Sequence, residues 1–183
     1  NIAGDWNFPT DGVLVKTISL PVDATDPDKL RRLETQILHY DVDTWRGYSY
    51  IWNDEQTDAV LAESGGADRT FTIVDPEAEG GKRQQTWHFA SRRACILCHT
   101  TRGGSIYGFK PEQLNRPFDY GKVTDNQLRA LEHIGLFETP VAEDKKTAMP
   151  DPHNPSLDLE QRARAYLHVN CAHCHRRGGG GTA

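Results

Sequence analysis

Over roughly the first ninety residues, apolar side chains fall in short runs bounded by Gly, Pro, Asp and Ser. The stretch 12–20 (Gly-Val-Leu-Val-Lys-Thr-Ile-Ser-Leu) is rich in β-branched residues and follows the turn-forming Pro9-Thr10-Asp11. That pattern predicts a strand. Residues 33–40 form an extended mix of polar and apolar positions, and 45–52 bring two Trp, two Tyr and an Ile into eight residues. Shorter strands are expected at 69–74 and 86–89. Turn signals separate them at hairpin-like intervals: Ser64-Gly65-Gly66, Asp75-Pro76 and Gly80-Gly81. An antiparallel sheet is the architecture these intervals favour, with the aromatic residues in its core.

Beyond residue 90 the period changes. Ser91 reads as a helix N-cap opening a turn that carries Cys95, Cys98 and His99. Thr124-Asp125-Asn126-Gln127 fits a capping box, with Leu128, Leu131 and Ile134 on one helical face and Gly135 as the stop. Residues 138–157 are rich in Pro and charge and read as a loop. A further helix is expected from Asp158, with Gln161 in its first turn. Ala163, Tyr166, Leu167, Asn170, Cys171 and Cys174 follow at i, i+3, i+4, i+7, i+8 and i+11, a spacing that predicts one buried helical face. Gly178-Gly179-Gly180-Gly181 reads as flexible. The expected fold is α+β: an N-terminal antiparallel β domain over 1–110 that ends in the first motif described below, then a mainly helical c-type haem segment over 111–183, incomplete at its C-terminus.

All four cysteines belong to two copies of one pattern, Cys95-Ile96-Leu97-Cys98-His99 and Cys171-Ala172-His173-Cys174-His175. C-x-x-C-H is the attachment signature of c-type haem. Each thiol can add to a haem vinyl group, and the following histidine can ligate the iron. A lone C-x-x-C is also compatible with a redox dithiol, half a zinc site or a disulfide. A zinc site would draw its ligands from close-set pairs, whereas these pairs lie more than seventy residues apart. Neither a dithiol nor a disulfide accounts for the histidine in both copies. The cofactors expected are two covalently bound c-type haems, held by Cys95, Cys98, Cys171 and Cys174, with His99 and His175 as proximal iron ligands.

Composition adds limits. With 183 residues, 37% hydrophobic and 26% charged, the chain can form one domain or two small ones. A net charge of −5 argues against nucleic acid as a partner. No apolar run reaches the length of a membrane span. Asn1 is not an initiator residue, which suggests a mature or trimmed form. Haem attachment to C-x-x-C-H takes place outside the bacterial cytoplasm, so a periplasmic or extracellular location is expected.

Three segments carry a family resemblance: the run from Trp45-Arg46-Gly47-Tyr48 to Asp58-Ala59; Gly108-Phe109-Lys110 with Gln113-Leu114-Asn115-Arg116; and Arg162-Ala163-Arg164-Ala165-Tyr166-Leu167 leading into Asn170-Cys171 and His175-Arg176. Together they resemble a family of uncharacterised bacterial dihaem c-type cytochromes, related segments of which occur beside or fused to quinoprotein sugar dehydrogenases. The resemblance covers most of the chain. It implies electron transfer with redox protein partners, possible partners being a dehydrogenase or a larger cytochrome-containing complex. The β-rich part also resembles, in architecture, small β-sheet cytochromes that oxidise hydroxylamine. One departure is evident. In the family a sizeable segment follows the last C-x-x-C-H and often supplies a Met ligand, whereas eight residues follow His175 here.

Distal ligands are less clearly marked. Met149, the sole methionine, lies in Ala148-Met149-Pro150, and His133 ends a predicted helix. Both are distal candidates, against bland readings as a linker residue and a helix-end cation. His39 and His88 are expected to be structural, and His153 solvent-exposed. Arg92, Arg93, Arg176 and Arg177 flank the motifs and suit haem propionates, or are simply solvated. Besides electron transfer, two other functions fit: a haem enzyme with one open distal site doing peroxidase-like or nitrogen-oxide chemistry, and a haem-bearing structural subunit of a larger redox assembly.

Overall fold

A computed structural model describes residues 6–100, 104–143 and 146–177. The chain divides into two compact units, Phe8–His99 and a second running from Thr100 onward together with the short segment that carries Trp6.

The first unit is built on an antiparallel sheet of β1 (Val13–Pro21), β2 (Leu30–Asp41), β3 (Thr44–Trp52) and β4 (Ala59–Leu61), in that order. The register sets Leu38 against Gly47, Gln36 against Ser49 and Glu34 against Ile51. Side chains alternate across a strand, so these six residues share one face. A bulge breaks the alternation: Ile18 and Ser19 are consecutive on β1, but their partners are Glu34 and Arg32. The extra residue is Leu33. A bulge can direct two successive side chains to the same side, and Leu33 and Glu34 are each only 1% exposed.

A separate hairpin, β5 (Ala67–Val74) with β6 (Lys82–Phe89), supplies the other half of the core. One face of it is polar and bonded across the strands, Thr70 to Thr86 at 3.0 Å and Gln84 Nε2 to Thr72 at 3.1 Å. The other presents Phe71, Trp87 and Phe89. Phe89 packs with Leu33 and Ile51, and Leu20, Ala62, Ala67, Phe71 and Trp87 close round them. The aromatic run in β3 is less of a core than its composition suggests. Only Ile51 of its large side chains is fully buried, while Trp52 donates to Thr35 Oγ1 at 3.0 Å and carries the Arg32 guanidinium over its ring at 3.7 Å. Helix α1 (Arg92–Cys98) closes the unit, and its Ser91 cap accepts from the Ala94 amide as expected.

The second unit corrects the expectation of a mainly helical segment. Its helices are short: α2 (Pro111–Leu114) has 4 residues, α3 (Gln127–His133) has 7 and α4 (Leu159–Cys171) has 13. A two-stranded ribbon, β7 (Pro117–Asp119) with β8 (Thr124–Asn126), lies between α2 and α3. Among the described residues, strand outweighs helix, 34% against 21%. The physical reason lies in the polar, Pro-rich chain between helices, which has few apolar positions at helical spacing to bury. The capping box is corrected too. Thr124 belongs to β8, and Asn126 caps α3 by accepting from the Arg129 amide at 3.1 Å. Gly135, at φ +72°, does end that helix, since a left-handed residue suits glycine.

Side-chain amides tie the irregular chain down. Asn126 Nδ2 donates to Asn115 Oδ1 at 2.8 Å, and Asn115 Nδ2 donates to the Lys146 carbonyl. Leu114 and Leu128 are buried beside them, and Trp6 meets Phe109 and Phe137 edge-on at 5.9 and 4.7 Å. Helix α4 starts as read from sequence, with Asp158 accepting from the Gln161 amide at 3.1 Å. Its apolar face, however, is not buried: Ala165 alone is, while Ala163, Tyr166 and Leu167 are exposed. The four-glycine run lies outside the described residues.

Candidate functional site

The two C-x-x-C-H motifs occupy different units and different surroundings, yet they close the same turn. In the first, the His99 amide donates to the Cys95 carbonyl at 3.0 Å. In the second, the His175 amide donates to the Cys171 carbonyl at 2.8 Å, and the Cys174 amide donates to the same oxygen at 3.1 Å. At about 100° per residue, a helical turn puts the third residue after the first cysteine about 60° to one side of it and the fourth about 40° to the other. Both thiols and the imidazole therefore leave the backbone within one sector. None of the four cysteines is in a disulfide.

The first motif is seated on the sheet. Cys95 lies over Gly47, so closely that a Cβ at position 47 would fall 2.7 Å from Cys95 Cβ and 3.1 Å from its sulfur. Arg92 lies over the Tyr48 ring at 4.7 Å. Further along the same sheet face, the Glu34 carboxylate accepts from the Ser49 hydroxyl, from Trp87 Nε1 at 3.1 Å and from Gln36 Nε2 at 3.1 Å. Burial pushes the Cys95 thiol above its ordinary pKa, and the nearby Glu34 and Cys98 add to the rise. A reactive dithiol has the opposite character, because its attacking cysteine is held low by a helix N-terminus or a cation. Among the described residues no three His, Cys, Asp or Glu side chains are grouped to hold a metal ion by themselves.

The second motif ends α4. His173, inside it, stacks on the Tyr107 ring at 4.1 Å between centroids and 23° between planes. His175 is exposed. Of the distal candidates, His133 is exposed at the last position of α3, and Met149 is half-buried, its amide donating to the Glu112 carbonyl of α2 at 2.8 Å. Both belong to the unit that carries His175. His39 and His88 pair with Asp11 and Asp68 at 3.4 and 2.6 Å, in keeping with structural roles.

The donor set suits a covalently attached haem. Each motif offers two thiols outside any disulfide and one imidazole from a single turn. Apolar surface lies bare beside both: Ile96 and Leu97 at the first, the latter 73% exposed, and Tyr166, Leu167 and Val169 on α4 before the second. Large apolar side chains left open mark a surface that a ligand or partner can cover, and a porphyrin is of suitable size and character. Gly47, Glu34 and Tyr107 were not singled out in the sequence. Gly47 had a legible signal, as a lone glycine inside an aromatic strand marks close backbone approach. The other two had none, because a glutamate carries no apolar mark of a core position and Tyr107 is distant in sequence from His173. Comparison of the chain with protein-family models, with curated proteins and with solved structures finds no match.

Proposed function

We propose that the chain is a dihaem c-type cytochrome passing electrons between redox partners, related to the bacterial dihaem family it resembles. The observation that supports this best is the shared turn, in which each histidine amide closes onto the carbonyl of its motif's first cysteine. Cys95, Cys98 and His99 would hold one haem, and Cys171, Cys174 and His175 the other. Each haem, once attached, supplies a reversible one-electron couple. The chain's own residues anchor and orient it: the sheet under Gly47 sets the position of the first motif, and the capped helix α4 sets that of the second. Met149 and His133 are the distal candidates, and a Met would hold a higher potential than a second His.

Haem attachment of this kind belongs outside the cytoplasm, so the proposed location is periplasmic or extracellular. The proposed partners are redox proteins, such as a dehydrogenase or a larger cytochrome-containing complex. No helix among the described residues is long and apolar enough to cross a membrane. In protein made with c-type maturation machinery, voltammetry is expected to give two reversible one-electron waves and the resting spectrum to be low-spin. A resting high-spin haem that binds added ligands would replace electron transfer by the reading as a haem enzyme.

A further inference from the structure

Strand β5 has one edge bonded to β6 and one that is mostly open. At Val74 the open edge is engaged: its amide donates to the Val22 carbonyl at 3.0 Å, and its carbonyl accepts from the Ala24 amide at 2.8 Å. Bonding directions alternate along an antiparallel strand, so the backbone groups of Thr72 and Thr70 face the same way as those of Val74. Among the described residues no second strand meets them there, since the sheet containing β5 holds only β5 and β6. Beyond Val74 the chain segments diverge and leave an open groove of about 960 Å³, lined on one side by Arg69, Thr70, Phe71 and Thr72 and on the other by Leu30 and Arg31.

The groove is positively biased in a chain of net charge −5. Its lining carries two arginines, Arg31 and Arg69, against one aspartate, Asp54. Arg31 lies over the Phe71 ring at 5.4 Å and bonds Asp54 through a terminal nitrogen. Its Nε is out of contact with solvent and makes no hydrogen bond. A buried guanidinium N–H left unmade costs free energy that an acceptor would recover. Arg69 rides over Phe89 at 5.9 Å, with its side chain at the groove.

We propose that this groove is a strand-addition site for an extended segment of a partner protein bearing an acidic side chain. The backbone of the segment would pair with Thr70 and Thr72, as in other sheet-edge recognition, and its carboxylate would meet Arg31 and Arg69. An unpaired edge is otherwise a liability that proteins cover or charge. The inference does not rest on haem chemistry, because every residue it uses belongs to the β-sheet unit away from α1.

The test uses the full haem-loaded chain and a synthetic Thr-Val-Thr-Glu-Val-Thr peptide, with binding followed by amide hydrogen exchange and NMR titration. Saturating peptide is expected to slow exchange at Thr70 and Thr72. Arg69→Glu, an exposed change, is expected to weaken binding about tenfold, the worth of one charge-assisted hydrogen bond. Thr72→Pro removes one outward amide and leaves the β6 ladder intact; it is expected to abolish the protection with the circular dichroism spectrum unchanged. The proposal is overturned if the peptide does not bind, if an N-methylated peptide binds equally well, or if free glutamate shifts the same resonances with the same affinity as the peptide. The last result would make the groove a small-carboxylate site.

Discussion

Serine at both Cys171 and Cys174 is expected to reduce the covalent haem content from two per chain to one, and serine at both Cys95 and Cys98 to do the same. The combined variant should carry none. The argument runs from sequence to attachment chemistry. Each pair of thiols leaves one helical turn beside its histidine, and no other cysteine exists to replace them. The two motifs sit in units that are each compact in themselves, so losing one attachment should leave the other in place. Serine keeps the size and weak polarity of the thiol but cannot form the thioether. The measurement is the pyridine haemochrome absorbance per polypeptide, with heme-stained denaturing gels as a second readout. A double-serine variant that keeps both haems would show that these cysteines are not the attachment points.

Gly47→Val should selectively damage the first site. Valine suits a strand by propensity, so local structure gives no reason to expect harm. Packing does. A Cβ at position 47 would stand 2.7 Å from Cys95 Cβ and 3.6 Å from a Leu38 methyl. Carbon atoms settle at about 3.5–4.0 Å, so α1 would have to retreat by about 1 Å, and valine adds two methyl groups to that demand. Overpacking of this sort costs about 1–3 kcal/mol, readable as a lower urea midpoint for the β-sheet unit. Haem attached through Cys95 and Cys98 should fall, while haem on Cys171 and Cys174 stays. Gly108→Ala is the control, since nothing lies within 4 Å of a Cβ there. Equal loss at both sites in Gly47→Val would point to general misfolding and against a seat made by this glycine.

The strands were legible because β-branched and aromatic residues recur between strong turn signals: β1, β2, β3 and β5 fall close to where that pattern puts them, whereas β6 begins at Lys82, four residues before the expected 86–89, and β4 was not expected. The caps Ser91 and Asp158 were legible for a similar reason, each being a short polar side chain just ahead of a helical run. What failed were inferences that needed tertiary context. Thr124 and Asn126 are both good caps, and pairing with β7 takes Thr124 into a strand and leaves the role to Asn126. The regular spacing on α4 was read as a buried face, but spacing records only that side chains align, not that protein covers them. Tyr166 and Leu167 align and remain exposed, which a prosthetic group against that face would account for. The bulge that brings Leu33 to the same side as Glu34 breaks the two-residue period on which strand reading depends. At the candidate site, the residues proposed to attach haem stand in the sequence as a motif. Of the first motif's seat, Gly47 alone left a trace, as a glycine inside an aromatic strand; its place beneath Cys95 and the Glu34–Ser49–Trp87 cluster further along the face came from folding.

The central claim is that both motifs carry covalent haem, and the intact mass of the purified, fully denatured protein tests it most directly. The account predicts a mass equal to the polypeptide plus two haem groups, retained through acidic organic solvent that extracts non-covalent haem. A polypeptide of unmodified mass, whether its cysteines are reduced, disulfide-bonded or holding zinc before denaturation, would contradict it.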